Sequence, residues 1–332
     1  MNSFGRIFKV SIFGVSHGEC VGITIDGCPA GLALSPEDLL PDLERRKGGK
    51  QKGTTPRQEE DFPIFKSGLF NGKTTGFPVT ILFENKNIRS EDYTKQRSIP
   101  RPGHADWVAH QKFGGNEDYR GGGHFSARLT AGIVAAARIA KKLMKDVSIH
   151  AEVIEIGGEK DLEKGLQKAI DAKDSVGGIL ECKVNGLPVG LGEPWFDSVE
   201  SSLAHLVFAI PAVRGVEFGT GFAAARMFGS EHNDSILEMG GKTKTNHAGG
   251  VVGGITNGNE LVFRLAIKPT SSTPKEQESL NWDTEQVEKF SIKGRHDLCV
   301  ALRAPVIVEA VTALVLVDFM MLEQKIQRNI QS

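Results

Sequence analysis

The stretch RGGGHFSAR at residues 120–128, followed by LTAGIVAAARIAKKLM at 129–144, joins a glycine loop to the start of an Ala-rich helix. Consecutive glycines permit positive φ and remove side chains, so that a ligand can reach the backbone N–H groups. Alanine, leucine and lysine favour a helix after the loop. Because the first N–H groups of a helix lack partners, we expect an anion site here, with Ser126 and Arg128 at its mouth. A tight turn before a core helix is the alternative interpretation.

Charge and length indicate a small anionic ligand rather than a polyanion. The chain has 332 residues, with 40 Lys and Arg against 41 Asp and Glu, and a net charge of −1. Without an overall positive field, a nucleic-acid partner is disfavoured. Basic residues nevertheless cluster at 45–57 and 86–101, and we expect residues 47–57 and 85–101 to form mobile loops over a site. Solvated surface loops are the alternative.

Cysteine usage and the most apolar segment indicate a protein of a reducing compartment. The four cysteines form no CxxC pair, and no charged-then-apolar leader follows Met1, which predicts a cytoplasmic protein. The run APVIVEAVTALVLVDFMML at 304–322 contains Glu309 and Asp318. Two carboxylates in a bilayer are costly, so this run predicts a core helix and no membrane span.

Apolar periodicity predicts an α+β fold with antiparallel hairpins. Helical spacing occurs at 36–46, 105–113, 128–145, 160–172, 198–210 and 305–327. Alternating residues predict strands at 6–13, 21–26, 77–84, 147–156, 179–184 and 260–268. The strands follow in pairs joined by Gly, Asn and Asp turns, and no GxGxxG follows the first strand. Both features argue against a doubly wound dinucleotide-binding sheet.

One internal echo indicates two similar halves. DGCPAGL at 26–32 is answered by NGLPVGL at 185–191, each after an alternating strand and before a polar turn. Turn chemistry alone could produce this match. Because no Pro- or Ser-rich linker separates the halves, we expect residues 1–332 to form a single, internally pseudo-duplicated domain.

Glycine-flanked polar clusters supply the candidate catalytic groups. These clusters are GVSHGE (14–19), RPGHAD (101–106), KPTSS (268–272) and KGRHD (293–297). Ser16 and His17 lie at a strand end, His104 follows a Pro-Gly turn, and Asp297 ends the last cluster. A single loop histidine is usually structural, but two histidines between glycines, with anion donors elsewhere, favour acid–base catalysis. No HxH, HExxH or Cys/His spacing indicates a metal site.

Together these clusters resemble the chorismate synthase family. Its three signature regions resemble GVSHGECVGITIDGCP (14–29), GGHFSARLTAGIVAAA (122–137) and RHDLCVALRAPVIVEA (295–310). The motifs DYRGGG, RPGHAD, NHAGG, KPTSS and GRHD fall in the family order between and around them. The similarity runs from about Phe4 to Leu322, nearly the whole chain.

The resemblance implies conversion of 5-enolpyruvylshikimate 3-phosphate to chorismate by anti 1,4-elimination of phosphate, the last common step toward the aromatic amino acids. The family needs reduced FMN although the reaction has no net redox change. By matching motifs, His17 would donate a proton to the reduced flavin, His104 would assist the leaving phosphate, and Asp297 would relay the proton of flavin N5. Phosphate departs more readily when positive groups already face its growing charge.

The resemblance also implies which positions bind ligands. The substrate would be bound by Ser16, Arg46, Arg101, Arg128 and Arg303. FMN would be bound by His124, Phe125, Ser126, Ala212, Gly253, Lys268, Pro269, Thr270, Ser271, Ser272 and Arg295. NADPH, a candidate reductant, would be bound by Arg46 and Lys52.

Three departures from the family pattern concern cofactor contacts. His124 and Phe125 stand where many members have Arg followed by Ser or Ala. Pro211 stands where relatives often have Asn, directly before the flavin position at 212. Lys52 replaces an arginine and lacks its bidentate fork. The third signature also has Leu298 in place of the usual Pro, and none of these changes removes a catalytic group.

The family fold implied by the resemblance has helices sandwiched between two antiparallel sheets, and the assembly is a homotetramer. Two other classes of protein remain open from the residues alone. A flavin reductase would also need an FMN phosphate cradle, but it has less use for two exposed histidines. A non-catalytic binder of phosphorylated ligands would tolerate the loss of His17. Whether NADPH or an external reductase reduces the flavin also stays open.

Overall fold

The computed structural model describes residues 2–49, 52–55, 59–86, 97–292 and 296–330. Its α-helices are α1 (Leu40–Arg46), α2 (Asp106–Phe113), α3 (Thr130–Leu143), α4 (Leu162–Ala172), α5 (Val199–Val207), α6 (Gly229–His232) and α7 (Pro305–Leu322). Its strands are β1 (Ser3–Phe4), β2 (Lys9–Gly14), β3 (Cys20–Asp26), β4 (Ile64–Ser67), β5 (Leu69–Phe70), β6 (Lys73–Thr74), β7 (Val79–Glu84), β8 (Ser148–Ile156), β9 (Gly178–Asn185), β10 (Val213–Phe218), β11 (Val251–Val252), β12 (Ile255–Thr256), β13 (Leu261–Ile267), β14 (Gln277–Asn281) and β15 (Gln286–Phe290).

Two antiparallel sheets frame the described part of the chain. The first sheet has the strand order β1-β2-β3-β7-β4, and the second has the order β10-β13-β9-β8. Neighbouring strands pair antiparallel throughout both sheets. Short two-stranded ribbons are formed by β5-β6, β11-β12 and β14-β15. The predicted combination of helices with antiparallel sheets is therefore confirmed.

Helices α3 and α7 connect the two sheets through one apolar core. Helix α3 packs on β3 and β7 of the first sheet, α7 packs on β8 and β9 of the second, and the two helices pack against each other. Helix α7 is long and apolar enough to cross a membrane, but 83% of it is buried inside the fold. An all-round apolar helix of this kind is typical of a protein core, because it has neighbours on every side.

Both carboxylates of α7 are buried and hydrogen-bonded. Glu309 accepts hydrogen bonds from both terminal nitrogens of Arg45 at 2.7 Å each, and from Lys141 Nζ at 3.0 Å. Asp318 accepts from the backbone N–H groups of residues 6, 7 and 8, at 2.8 to 3.1 Å. Buried charges are tolerated when they are paired and hydrogen-bonded. This explains how an otherwise apolar core helix holds two acidic residues.

The predicted elements are present, with ends that differ by a few residues. The strand predicted at 6–13 begins at Lys9, because Asp318 binds the N–H groups of residues 6–8 and takes them out of the sheet ladder. The helix predicted at 305–327 ends at Leu322. No strand was predicted at β4, β10, β14 and β15, nor at the two-residue strands β1, β5, β6, β11 and β12.

The internal echo has a structural counterpart in two buried threonines. Thr74 Oγ1 donates to the proline carbonyl of DGCPAGL at 2.6 Å and accepts from the N–H of its last leucine at 3.0 Å. Thr256 Oγ1 makes the same two hydrogen bonds to NGLPVGL, at 2.7 and 2.9 Å. The order β2-β3-β7-β4 in one sheet corresponds to β8-β9-β13-β10 in the other. A long helix follows each set, α3 in the first half and α7 in the second.

Candidate active site

A cavity of ≈ 810 Å³ opens at the N-terminal ends of α3 and α7. Helix N-termini carry partial positive charge and favour anions. The predicted site residues that line this cavity are His17, Arg46, Arg101, His104, His124, Phe125, Ser126, Arg128, Ala212, Lys268, Pro269, Thr270, Ser271, Ser272, Asp297 and Arg303. Motifs from both halves of the chain therefore meet at one place.

The triple glycine makes room for two imidazole rings. Gly121, Gly122 and Gly123 have φ of 60°, 84° and 52°. A Cβ on Gly121 would lie 2.1 Å from Cε1 of His17, and one on Gly122 would lie 3.1 Å from Cε1 of His104. We expected these glycines to expose N–H groups to a ligand. In the structure Gly121 and Gly122 also allow the two histidines to pack against the loop backbone, and the expected contact of a ligand with the N–H groups stays a prediction.

Ser16 contacts His17 and does not itself line the cavity. Its Oγ is 3.0 Å from Nδ1 of His17, and 3.2 and 3.3 Å from the carbonyl oxygens of Arg120 and Gly121. A hydroxyl has one proton, so when it donates to a carbonyl it accepts from an Nδ1–H group. Ser16 thereby orients the ring of the buried histidine.

Asp61 is a buried carboxylate between two arginines of the cavity. Its Oδ2 accepts from Nη2 of Arg46 at 2.5 Å, and its Oδ1 is paired with Arg128. The exposed fractions of the side chains are 0% for Asp61, 5% for Arg46 and 4% for Arg128. Burial alone would raise the pKa of Asp61, but the two guanidinium charges outweigh it and lower the pKa. Two cations share the one buried anion, and Glu59, which also lines the cavity, adds a second negative charge near Arg128.

A second acid–arginine pair lies before α7. Asp297 accepts from the backbone N–H of Thr55 at 2.8 Å and from Nη1 of Arg303 at 3.0 Å. Arg303 lies in the 3₁₀ turn that leads into α7, as Arg128 lies in the turn that leads into α3. The two central helices thus each begin next to a buried or half-buried arginine that faces the cavity.

The KPTSS segment is tied to the RPGHAD loop across the cavity. Lys268 Nζ donates to the carbonyl oxygen of Gly103 at 2.5 Å and to Ser271 Oγ at 2.8 Å. Ser271 Oγ donates to the same carbonyl at 2.8 Å. Burial, together with the charge of Arg214, lowers the pKa of Lys268. The segment is thereby held beside His104 with its lysine directed at the loop.

Three buried polar atoms in the cavity have no hydrogen-bond partner within the described ranges. They are Arg46 Nε, His124 Nε2 and Thr270 Oγ1. Nδ1 of His124 is 2.8 Å from the carbonyl oxygen of Gly14 and therefore carries the proton, which makes Nε2 an acceptor in the neutral ring. Buried polar groups are rarely left unpaired, so these atoms can each take a hydrogen bond from or to a polar ligand or water in the cavity. The cavity is of the size of small-molecule sites, roughly 300–1,000 Å³.

Three predicted contacts lie elsewhere or cannot be placed. Lys52 Nζ donates to Gln167 Oε1 at 3.0 Å on the surface and does not line the cavity. Gly253 lies in the turn between β11 and β12. A Cβ added to it would have no other atom within 4 Å. Arg295 lies outside the described residues.

Some residues of the two basic segments line the cavity. Lys47, Gly48 and Thr55 from the first segment and Arg101 from the second line it. Residues 50–51, 56–57 and 87–96 of these segments lie outside the described residues. Among the described residues, no group of three or more His, Cys, Asp or Glu side chains is placed to hold a metal ion.

Two acidic residues that pair with side chains of the cavity were not among the predicted site residues. Asp106 stands two residues after His104 in RPGHAD, and a carboxylate so close to a candidate catalytic histidine is a usable signal. Asp61 ends the acidic run at 59–61, next to a basic segment. Charge alternation of this kind is common on surfaces, so it gave no reason to expect a buried residue.

Comparison with known proteins decides the family. The chorismate synthase family model matches residues 8–321. The chain belongs to the chorismate synthase family. It is 67% identical to the chorismate synthase of Chitinophaga pinensis over 329 residues, with 99% of each chain covered. It is 40% identical to that of Methanocaldococcus jannaschii, with 96% of each chain covered. A crystal structure of chorismate synthase matches with a TM-score of 0.74 at 25% identity, covering 96% of this chain and 93% of that chain.

Family membership confirms the function that the motifs implied. The activity of the family is the elimination of phosphate from 5-enolpyruvylshikimate 3-phosphate to give chorismate. The chain is accordingly a carbon–oxygen lyase of the shikimate pathway, in aromatic amino acid biosynthesis.

Proposed function

We propose that the cavity at the N-terminal ends of α3 and α7 carries out this elimination, with reduced FMN as the cofactor. The observation that carries the proposal is the presence of Arg46 Nε, His124 Nε2 and Thr270 Oγ1, all unpartnered among the described residues, in one cavity with two imidazoles. A ligand with anionic groups and with hydrogen-bond donors and acceptors would satisfy all three atoms. FMN and the phosphorylated substrate have these groups.

Four arginines of the cavity are proposed to bind the substrate, which carries a phosphate and two carboxylates. They are Arg46, Arg101, Arg128 and Arg303. Guanidinium forks match such groups bidentately. Asp61, Asp106 and Asp297 hold the forks in place before a ligand arrives, so little reorganisation is needed when negative charge develops. Ser16 contributes through the orientation of His17 rather than by direct contact.

His104 is proposed to assist the leaving phosphate. It lines the cavity beside Arg101, and both side chains are held by Asp106. A positive imidazole and a guanidinium that face the same oxygen would stabilise its growing charge. A proton given from Nε2 would complete the departure of the phosphate.

Reduced FMN, when bound, would lend electron density to the substrate without net redox change. We propose that it is held by residues 124–126, Ala212, 268–272 and Arg295. His17, at the edge of the cavity, would hold a proton for the cofactor. Asp297 would accept a proton from the cofactor. Gly253 and Lys52 lie outside the cavity of their own chain, so the contacts that the family resemblance assigns to them, with FMN and with NADPH, would need an assembly or a loop rearrangement.

A redox experiment tests this function. Under anaerobic conditions with dithionite-reduced FMN and 5-enolpyruvylshikimate 3-phosphate, chorismate is expected to form while the flavin stays reduced. Equal rates with oxidised FMN, or one flavin oxidised per chorismate formed, would contradict the proposal. Steady NADPH consumption with an acceptor and without chorismate would favour a flavin reductase instead.

Arg46→Ala and Arg101→Ala are each expected to weaken substrate binding about ten- to hundred-fold. A hydrogen bond to a charged group contributes about 1.5–3 kcal/mol, which converts to this factor. Equilibrium titration with the substrate measures the loss. Arg328→Ala, which removes an exposed arginine outside the cavity, is the matched control. A change below about twofold, or ~0.4 kcal/mol, in both variants would show that the arginines do not bind the substrate.

We also propose that residues 1–332 form one pseudo-duplicated domain with its helices sandwiched between the two sheets. The corresponding strand orders and the matching hydrogen bonds of Thr74 and Thr256 support the duplication. The packing of α3 on one sheet, of α7 on the other, and of the helices on each other supports the sandwich. Because the cavity is built from both halves, neither half would be active alone.

A homotetramer in the cytoplasm is the assembly that we propose. The support is a group of large apolar side chains on the surface of the second half, which in a monomer would be left in water. This group comprises Trp195, Phe196, Phe222, Phe228, Ile236, Leu237 and Met239, each more than half exposed. Large exposed apolar side chains in such number favour an interface between copies of the chain.

A further inference from the structure

Asp106, the first residue of α2, contacts two side chains of the site without lining the cavity itself. Its Oδ2 accepts from Nε of Arg101 at 2.7 Å, and its Oδ1 accepts from Nη2 of the same arginine at 2.8 Å. Oδ1 is also 2.6 Å from Nδ1 of His104. One carboxylate therefore holds both the guanidinium and the imidazole.

The ionisation of Asp106 decides which nitrogen of His104 carries the proton. Burial alone would raise the pKa of Asp106, but hydrogen bonds from Arg101 and His104 and their charges outweigh it and hold the pKa far below its ordinary value. An ionised carboxylate only accepts hydrogen bonds, so Nδ1 of His104 must be the donor. Nη2 of Arg101, 3.1 Å from Nδ1, is then a neighbour and not a hydrogen-bond partner.

We propose that Asp106 is a positioning residue that fixes His104 in the Nδ1–H tautomer and holds Arg101 beside it. This inference rests on the proposed role of His104. With its proton on Nδ1, the neutral ring offers Nε2 as the nitrogen that takes up and releases a proton. Gly122 confines the same edge of the ring, because a Cβ there would lie 3.3 Å from Nε2.

A purely structural Asp106 would only brace the turn before α2. Its carboxylate also accepts from the backbone N–H of Arg101 at 3.0 Å, which supports that alternative. Loss of such a brace would lower stability and activity whether or not His104 is present. The two roles therefore differ in whether the effect of Asp106 passes through His104.

¹⁵N NMR of the ligand-free, histidine-labelled protein reads the tautomer of neutral His104 directly. The signal is assigned by its absence in His104→Ala. We expect the Nδ1–H tautomer in the wild type and in Asp106→Glu, and its loss in Asp106→Asn. Glu181→Gln is the control, because Glu181 pairs with Arg264 on the second sheet at 2.8 Å and is 13% exposed against 14% for Asp106. An Nε2–H tautomer in the wild type would overturn the proposal, even if Asp106→Asn did not fold.

A double-mutant cycle tests the catalytic consequence. Asp106→Asn is expected to lower kcat by about 10²-fold or more in the wild type, and by less than about twofold in the His104→Ala background, since residues that act as a unit are not additive. An equal loss in both backgrounds would show a structural role and contradict the proposal. Wild-type turnover in His104→Ala would instead overturn the proposed function, while the tautomer measurement would still report on Asp106.

Discussion

Alanine at His17 or His104 is expected to lower kcat by about 10²–10⁴-fold while FMN and substrate still bind together. General acid and base groups typically contribute this factor, and both imidazoles line the cavity against the glycine loop. A lost transition-state interaction lowers kcat without a matching rise in KM. Anaerobic steady-state kinetics, beside equilibrium binding of FMN, separate the two effects.

His150→Ala provides the control for these variants. His150 is exposed on β8 and does not line the cavity, so wild-type kinetics are expected. His17→Ala is also expected to alter the pH dependence of the absorbance of bound reduced flavin. Loss of flavin binding or of thermal stability, with turnover per occupied site intact, would show that the two histidines are structural.

Asp61→Asn is expected to lower the free energy of unfolding by about 3–5 kcal/mol, the usual cost of removing one partner from a buried ion pair. The substitution keeps the shape of the side chain but leaves Arg46 and Arg128 buried without their shared counter-charge. Urea unfolding at neutral pH measures the loss. The neighbouring carboxylate, Glu60, pairs with Lys86 on the surface. Glu60→Gln is therefore the control and is expected to leave the free energy of unfolding unchanged.

The effect of Asp61 should depend on pH in a defined direction. Its pKa is lowered in the folded protein from an ordinary value of 3.8, so its stabilising contribution is complete above that pH. As the pH falls below 3.8 toward the lowered pKa, the contribution is lost, and the gap between wild type and Asp61→Asn should close. A gap that is absent at neutral pH would show that Asp61 does not hold the arginines.

Periodicity located the elements whose apolar faces pack on the core. The predicted ends of α3, α7, β3 and β9 lie within three residues of the observed ends, except at the C-terminal end of α7. The hairpin β14–β15 was missed because neither strand has a buried residue, so no face is marked by apolar side chains. Strand β10 was missed because its register shifts between Val213 and Gly215, which breaks the alternation.

Motifs located many of the residues that line the cavity, but not the groups that hold them together. His17, His104 and the arginines lie in glycine-flanked or basic clusters that can be read locally. Asp61 binds partners 15 and 67 residues away, and no local pattern reports such a pairing. The need for glycine at position 121 could not be predicted from the sequence either. It arises because a histidine that is distant in sequence packs against Gly121.

Asp297→Asn in a preformed complex with reduced FMN and 5-enolpyruvylshikimate 3-phosphate tests most directly whether this cavity carries the chemistry. The amide keeps the shape of the side chain, which accepts from Thr55 N–H at 2.8 Å, but it cannot carry a proton. With FMN and substrate at saturating concentrations, which compensate for the loss of the Asp297–Arg303 ion pair, we expect the ternary complex to form and the single-turnover rate of chorismate formation to fall by about 10²–10⁴-fold. A near-wild-type single-turnover rate would contradict the proposed proton transfer at Asp297 and, with it, the assignment of the chemistry to these residues.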